Sequence, residues 1–156
     1  MNESKVVASR PTTAGDAAVD GLLSGIAAGI VMAVYLVAVG LVMGEGPGIV
    51  LSRFDPGEAS SPLTGALMHL AVAGVYGMLF ALGRRLIVRR QPFGRMLGGL
   101  AGLAYGLAWL LIAEMVVLPG TNSPLREIPF LHFALAHVFY GLTLGFLIHR
   151  IVARDG

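Results

Sequence analysis

The sequence contains no cysteine, so disulfide bonds, iron–sulfur clusters, thiolate metal sites and thiol redox chemistry are excluded. Charged residues are also scarce. They make up 13% of the 156 residues, whereas a soluble domain carries about 25%. Hydrophobic residues account for 56% of the chain. With so few charges to interact with water, most of the outer surface is predicted to contact lipid.

Sequence motifs of familiar catalytic sites are missing as well. No serine lies in a G-x-S-x-G elbow, and there is no H-E-x-x-H zinc motif. The glycines lie within apolar stretches and do not follow strands, so none of them forms a phosphate-binding loop. The chain is therefore expected not to be an enzyme, and its basic residues are accounted for by membrane topology without a nucleic-acid partner.

Four apolar stretches, each of about 20 residues, dominate the rest of the sequence. They cover residues 21–43, 63–83, 96–118 and 129–148. Each is long enough to cross about 30 Å of hydrocarbon as a helix. Unsatisfied backbone groups exclude a lipid-exposed strand edge, so helices are expected. The sequence predicts an all-α bundle of four transmembrane helices over residues 16–156, preceded by a flexible tail over residues 1–15.

Positive charge is concentrated on one side of these stretches. Residues 84–95 contain five arginines and no acid, and the C-terminal end adds Arg150 and Arg154. The loops over residues 44–62 and 119–128 carry acidic residues instead. By the positive-inside rule, both termini and the arginine-rich loop are cytoplasmic, in a multi-pass protein of the bacterial inner membrane. As an alternative role, the arginines recruit anionic lipid or an acidic partner.

The outer loop over residues 44–62 has an apolar centre at residues 49–51 and at Phe54. Such a segment either lies on the membrane surface as a short helix or forms a docking surface for another subunit. The sequence favours neither alternative over the other.

The two halves of the chain resemble each other, which predicts two repeated helical hairpins. "SSPL" at residues 60–63 matches "NSPL" at residues 122–125, and in both halves a histidine and then a Tyr-Gly pair follow. Glycines recur at a spacing of four in the first and third stretches: Gly21, Gly25, Gly29, Gly98, Gly102 and Gly106. Such small residues let helix backbones approach closely, so a tight bundle is expected.

Four ionisable residues lie within the predicted spans, all in the outer half: His69, Glu114, His132 and His137. Intramembrane ionisable residues are costly and are functional candidates by default. At about 100° per residue, His69 and His137 lie on small-residue faces and are expected to point inward. His132 is about 140° from His137, so the two cannot reach one centre. Glu114 shares its face with leucines and is a weaker candidate.

In the first of three interpretations, His69 and His137 are structural. They would make interhelical hydrogen bonds to backbone carbonyls or to hydroxyl groups and hold the bundle in register. Tyr76, Tyr140 and Thr143 are the nearest candidates for such hydroxyl partners.

In the second interpretation, His69 and His137 are axial ligands of a haem, because haem iron takes histidine nitrogen and small residues make room for a flat ring. Ala73 and Gly141 each lie one helical turn away from a histidine. In the third, His69 and Glu114 with a further histidine form a proton or metal-ion relay.

The segment "HFALAHVFYGLTLGFLIHR", residues 132–150, resembles the last span of a family of small, uncharacterised, four-helix bacterial membrane proteins. That span carries an Ala-His-x-x-Tyr-Gly pattern in the family. The resemblance implies a four-span fold and no assigned activity. Four-span drug exporters do not match, since they need an acid in the first span and residues 21–43 have none.

The leading functional hypothesis is a non-catalytic membrane subunit that packs beside or inside a larger bacterial assembly, respiratory or photosynthetic. Its expected partners are the lipid bilayer and other membrane subunits. The first alternative is an electron carrier with a bis-histidine haem. The second is a small transporter or ion channel that uses the repeat as its path.

Overall fold

The computed structural model describes residues 13–57, 60–87, 95–121 and 123–154. Over these residues the chain is all-α, as predicted, and contains no strand. In order, the elements are α1 Ala14–Val42, α2 Pro47–Ser52, α3 Pro62–Ile87, α4 Arg95–Ile112, a π-helix Ala113–Val117, a 3-10 helix Pro124–Glu127 and α5 Phe130–Arg154. Helices α1, α3 and α5, and α4 with its π-helical extension, are long and apolar enough to cross a membrane.

Helix α1 begins at Ala14, well before the predicted span at Gly21. Thr13 and Asp16 form a capping box: the Asp16 backbone N–H donates to Thr13 Oγ1 at 3.1 Å, and the Thr13 N–H donates to Asp16 Oδ2 at 2.7 Å. Apolarity marks the lipid-crossing part of a helix, whereas the cap sets its start. The helix thus includes two residues of the predicted flexible tail, and residues 1–12 of that tail lie outside the described residues.

The four long helices form two hairpins, and each hairpin closes on glycine. A Cβ atom added to Gly25 of α1 would lie 2.8 Å from the Cα of Gly77 on α3. In the second hairpin, a Cβ added to Gly102 of α4 would lie 2.7 Å from the Cα of Gly145 on α5. Backbone therefore meets backbone in both hairpins, as the glycine spacing predicts.

The two hairpins join through α1 and α5, which leaves α3 and α4 on either side of a cleft. The closest helix pairs are α1 with α3, α4 with α5, and α1 with α5. Among the described residues, α3 makes no comparably close backbone approach to α4. Large side chains bridge the space instead, since the rings of Tyr76 on α3 and Trp109 on α4 stack at 3.6 Å.

Residues 43–57, 118–121 and 123–129 form one end of the bundle, here named the loop end. The opposite end, where α1 begins and α5 ends, is the terminal end. The short helix α2 packs on α1 and α3 at the loop end. Its Val50 is 2% exposed and occupies the space that a Cβ on Gly40 would need, whereas Ile49 stays exposed. The predicted short helix exists, and part of its apolar centre faces the protein instead of the membrane surface.

Candidate functional site

A cavity of about 320 Å³ occupies the cleft between the hairpins, on the side of the loop end. Helices α1, α3, α4, the π-helix and α5 all contribute side chains to its wall. The wall is mostly apolar, and its polar side chains are His69, Tyr76, Trp109, His137 and Tyr140. Two histidines chosen from the sequence, together with both candidate tyrosines, therefore meet in one apolar space.

His69 lies on α3 and is 9% exposed. Its Nε2 lies 3.0 Å from the backbone oxygen of Gly29 on α1, and its ring lies 4.5 Å from the ring of Phe54. A carbonyl oxygen only accepts, so Nε2 carries the proton and donates. In the neutral imidazole, Nδ1 is then an acceptor, and it has no partner among the described residues.

His137 lies on α5, is 8% exposed, and has the opposite tautomer. Its Nδ1 lies 2.8 Å from the backbone oxygen of Phe133 one turn earlier, and its ring makes an edge contact with the Phe133 ring at 4.6 Å. Nδ1 therefore donates, and Nε2 is the acceptor left unpaired within the described part of the chain. Both histidines point inward, as predicted, and both make a backbone hydrogen bond.

Two tyrosine hydroxyls attach α3 to the second hairpin across the cleft. The Tyr140 hydroxyl on α5 donates to the Ala73 oxygen at 2.8 Å, and the Tyr105 hydroxyl on α4 donates to the Tyr76 oxygen at 2.8 Å. Each bond joins α3 to a helix of the second hairpin against which, among the described residues, it has no close backbone packing. Of the partners predicted for the two histidines, backbone carbonyls are the ones observed, and the Tyr140 hydroxyl bonds to Ala73 instead.

His132 and Glu114 lie outside this cavity wall. The His132 Nδ1 lies 2.9 Å from the hydroxyl of Tyr35 on α1, on another face of α5, in agreement with the predicted angular separation from His137. Glu114 lies in the π-helix, whose Ala113 and Val117 line the cavity in its place. The relay interpretation, which groups His69 with Glu114, is therefore not supported. Within the described ranges, no cluster of three metal-ligating side chains occurs.

The cavity opens sideways, between α3 and the π-helical end of α4. Its edges are Met68 and Val72 on α3 and Ile112 and Val117 on the other side, each between 40% and 45% exposed. All four are apolar residues of helices that are long and apolar enough to cross a membrane. The opening is therefore bordered by apolar side chains on a face of the bundle that membrane lipid would cover.

The loop end covers the cavity with Phe54, Pro56 and Leu125. Buried Asp55 holds this cover in place: its Oδ1 accepts the N–H of Gly57 at 2.9 Å and its Oδ2 accepts the N–H of Ser61 at 2.7 Å. These bonds tie the loop to the start of α3, and thereby fix Phe54 over the ring of His69.

Aromatic side chains end the cavity toward the terminal end of the bundle. Beyond the stacked Tyr76 and Trp109, Tyr105 packs against Trp109 at 6.0 Å and against Phe80 at 5.0 Å. Neither Tyr105 nor Phe80 belongs to the cavity wall. The space is therefore a pocket in one half of the bundle, and the aromatic cluster fills the cleft below it.

An ion-pair cluster at the loop end links the two hairpins. The Arg53 guanidinium donates from Nη1 and Nη2 to the Glu45 carboxylate, both at 2.6 Å, and from Nε to Glu127 Oε2 at 3.1 Å. Glu45 belongs to the first hairpin and Glu127 to the second. The Arg53 hydrogen bond holds the pKa of Glu45 below its ordinary value, and the Glu45 hydrogen bond raises the pKa of Arg53.

This cluster gives the fold a pH dependence whose sign is set by Glu45. Its pKa is lower in the folded protein than the ordinary 4.5, so the ion pair stabilises the fold at neutral pH and is lost as the pH falls below 4.5. We expect the melting temperature of the wild type to fall more steeply than that of Arg53→Met as the pH is lowered from about 5 to below 4. Thermal melts in detergent measure this. Arg126→Met is the control, because Arg126 donates to the Leu118 carbonyl and not to an acid. If the melting temperature of Arg53→Met depends on pH as steeply as that of the wild type, the Glu45–Arg53 pair is not the cause.

Several wall residues escaped the sequence reasoning. Trp109 of the wall and its neighbour Tyr105, which lies outside the wall, are spaced by four residues and therefore lie on one helical face. Phe54 was assigned to a membrane-surface or docking segment, and it covers His69 instead. Only the Tyr105 and Trp109 pair had a signal in the sequence, since the position of Phe54 depends on how the loop folds back.

Comparisons of the chain with protein-family models, with curated proteins and with solved structures find no match. The resemblance of residues 132–150 to a family of four-helix membrane proteins stays a prediction, and the cavity is the feature of the molecule that bears on its function.

Proposed function

We propose that this chain is a non-catalytic integral membrane subunit that binds an apolar small molecule in the cavity between α3, α4 and α5. It would do so beside or inside a larger bacterial membrane assembly, respiratory or photosynthetic. The observation that carries the proposal is an apolar cavity with a lateral opening and two inward-facing histidines, each with one unpaired ring nitrogen. Small-molecule sites are apolar, partly preformed cavities with a few convergent polar groups.

Three features favour binding over transport or catalysis. The entrance is bordered by apolar side chains at lipid-facing positions, so the ligand enters from the bilayer. The aromatic cluster around Tyr105 and Trp109 fills the cleft below the cavity, which opposes a continuous path. The unpaired nitrogens of His69 and His137 supply recognition, and the described part of the wall holds no acid, serine or threonine beside them.

A haem ligand is the second candidate, and His137 is the observation that favours it. Metal-ligating histidines donate the other ring N–H to a carbonyl, as His137 Nδ1 does to Phe133, and this leaves Nε2 for iron. His69 is less suited to the opposite axial position, because its Nε2 is bonded to Gly29 and only Nδ1 is available. A haem would therefore be held chiefly by His137.

The binding proposal predicts that a bulkier side chain at the entrance removes the ligand. Val72→Phe places a ring in the opening, whereas Val75→Phe adds the same ring to the same helix, at a similarly exposed position outside the cavity wall. We expect organic extracts of protein purified gently from native membranes to contain a stoichiometric apolar compound for wild type and Val75→Phe. The Val72→Phe extract should contain at least about tenfold less, as measured by mass spectrometry.

The same preparations separate the alternatives. Size-exclusion chromatography with full absorption spectra, before and after dithionite, reports partners and pigment together. A large complex that contains other chains supports the subunit role. A small peak with a reducible Soret band, lost in His137→Ala, supports the haem candidate instead. Equal extracts from both valine variants would refute binding in this cavity.

We further propose that the termini lie in the cytoplasm and the loop end faces outward. The asymmetric arginine distribution supports this orientation. Since the chain has no cysteine, single cysteines can report it directly. We expect Thr121→Cys at the loop end to react with an impermeant maleimide in intact spheroplasts. Ile87→Cys, near the other end, should react only after permeabilisation, and the reverse pattern would invert the topology.

A further inference from the structure

Resting on the proposed binding function, we infer that the ligand is a quinol: a dihydroxy aromatic ring whose apolar tail leaves through the lateral opening. The inference comes from a count of donors and acceptors in the cavity wall. His69 offers Nδ1 and His137 offers Nε2, both as acceptors, because the other nitrogen of each ring donates to a carbonyl. The two acceptors come from different helices, α3 and α5.

The tyrosines of the wall add little donor capacity. The Tyr140 hydroxyl donates its hydrogen bond to the Ala73 carbonyl, so only its oxygen lone pairs are left to accept from a ligand. The Tyr76 hydroxyl is free of hydrogen-bond partners within the described residues and is the one hydroxyl of this wall with an uncommitted proton. The Trp109 indole N–H is the other donor of the wall. Against these two donors, the described part of the wall offers the two histidine nitrogens and the hydroxyl lone pairs of Tyr76 and Tyr140, so it accepts more hydrogen bonds than it donates, and a matching ligand brings O–H or N–H groups.

This donor requirement separates the reduced from the oxidised form of a membrane quinone. The oxidised ring has two carbonyl acceptors, which would face the lone pairs of His69 and His137. The reduced ring has two hydroxyl groups that can donate to them. Leaving a buried acceptor unpaired is unfavourable, so the site is expected to prefer the quinol.

The remaining wall fits an uncharged aromatic ring. Among the described residues of the wall there is no lysine, arginine or acid, so an anionic or cationic head group would be buried there without a counter-charge. The rings of Phe54, Trp109 and Phe133 surround the space, and aromatic faces pack well against a flat ligand ring. A volume of about 320 Å³ is small for a ligand site and suits a head group, with the tail outside in lipid.

The test compares three ligands of nearly the same shape. The purified protein in detergent is titrated by calorimetry, without oxygen, with 2-methylnaphthalene-1,4-diol, with the corresponding 1,4-quinone, and with the 1,4-dimethyl ether. Only the diol has hydroxyl donors. We expect its dissociation constant to be at least about tenfold lower than those of the other two. The fluorescence of Trp109, the single tryptophan of the chain, should change on binding, because its ring lines the cavity.

A matched pair of variants on α5 localises the effect. His137→Phe removes one of the two acceptors from the wall and should bring the affinity for the diol several-fold closer to that for the dimethyl ether. His132→Phe makes the same change on the same helix, outside the wall, and should keep the preference. If His137→Phe does not fold, a comparison of Val72→Phe with Val75→Phe gives a second test. Only Val72→Phe, at the entrance, should lower the affinity for the diol.

The outcomes distinguish this inference from the function on which it rests. Equal binding of the three compounds, weakened by Val72→Phe, would overturn the quinol and leave the binding function intact. If none of the three compounds binds while native extracts still contain another apolar compound, the quinol is likewise overturned and the binding function remains. If none of them binds and added haem gives a Soret band that His137→Phe abolishes, the site is a haem site.

Discussion

Replacing Gly102 with alanine is expected to destabilise the second hairpin by about 1–3 kcal/mol, the usual effect of overpacking. The added Cβ would lie 2.7 Å from the Cα of Gly145 and would also meet the carbonyl oxygen of Gly141. Both neighbours are backbone atoms, so no side chain can rotate to make room. Helices α4 and α5 would have to separate, and lipid provides no hydrophobic force to bring them back together.

The control lies on the same helix. A Cβ on Gly99 meets nothing within 4 Å, so Gly99→Ala should leave stability nearly unchanged or raise it slightly through helix propensity. In the first hairpin, Gly77→Ala and Gly83→Ala form the equivalent pair, since Gly83 also has open space. Unfolding by dodecyl sulfate, followed by circular dichroism, measures the difference. Equal losses at Gly99 and Gly102 would mean that backbone contact does not hold the hairpin.

Removing both cross-cleft hydroxyls is expected to lower the free energy of unfolding by about 2 kcal/mol. Interhelical hydrogen bonds in membranes contribute about 0.6–2 kcal/mol each, and the Tyr105 and Tyr140 hydroxyls supply two of them. Both donate to α3, at the oxygens of Tyr76 and Ala73, within one helical turn. In Tyr105→Phe combined with Tyr140→Phe, α3 should therefore separate more easily from the second hairpin.

Tyr76→Phe is the control, because its hydroxyl has no hydrogen-bond partner among the described residues and its ring would still stack on Trp109. This variant should leave the free energy of unfolding nearly unchanged. The same unfolding assay applies, with each single variant measured to test whether the two losses add. A double variant as stable as the wild type would show that the stacked rings, and not the hydroxyls, hold α3 in place.

The helices could be predicted from the sequence because hydrocarbon thickness fixes how long an apolar helix must be. The start of α1 at Ala14 could not, since Thr13 and Asp16 form a polar cap that hydropathy does not register. The π-helix at Ala113–Val117 was also missed, although it decides that Ala113 and Val117 line the cavity and Glu114 does not. A regular period of 3.6 residues has no way to signal such a local change.

The apparent repeat of histidines illustrates a second limit. Gly77 and Gly141 occupy corresponding places, because each follows a tyrosine and packs on glycines of the partner helix. His69 precedes Tyr76 by seven residues, whereas His137 precedes Tyr140 by three. The two histidines are therefore not equivalent positions of a repeat. They share the cavity because α3 and α5 both face it, which no comparison of the two segments could reveal.

The sequence by itself determined that the chain is a four-span helical bundle, that its helices pair through glycine, and that His69 and His137 face inward. Each of these follows from local composition and helical period. Only the tertiary structure decided that α3 and α4 stand apart and that the space between them opens sideways, between apolar side chains. Only the tertiary structure places Phe54, Trp109 and Tyr140 in one cavity wall with the two histidines. Those relations depend on how the two hairpins meet along α1 and α5, through contacts between residues far apart in the sequence, where no local pattern can record them.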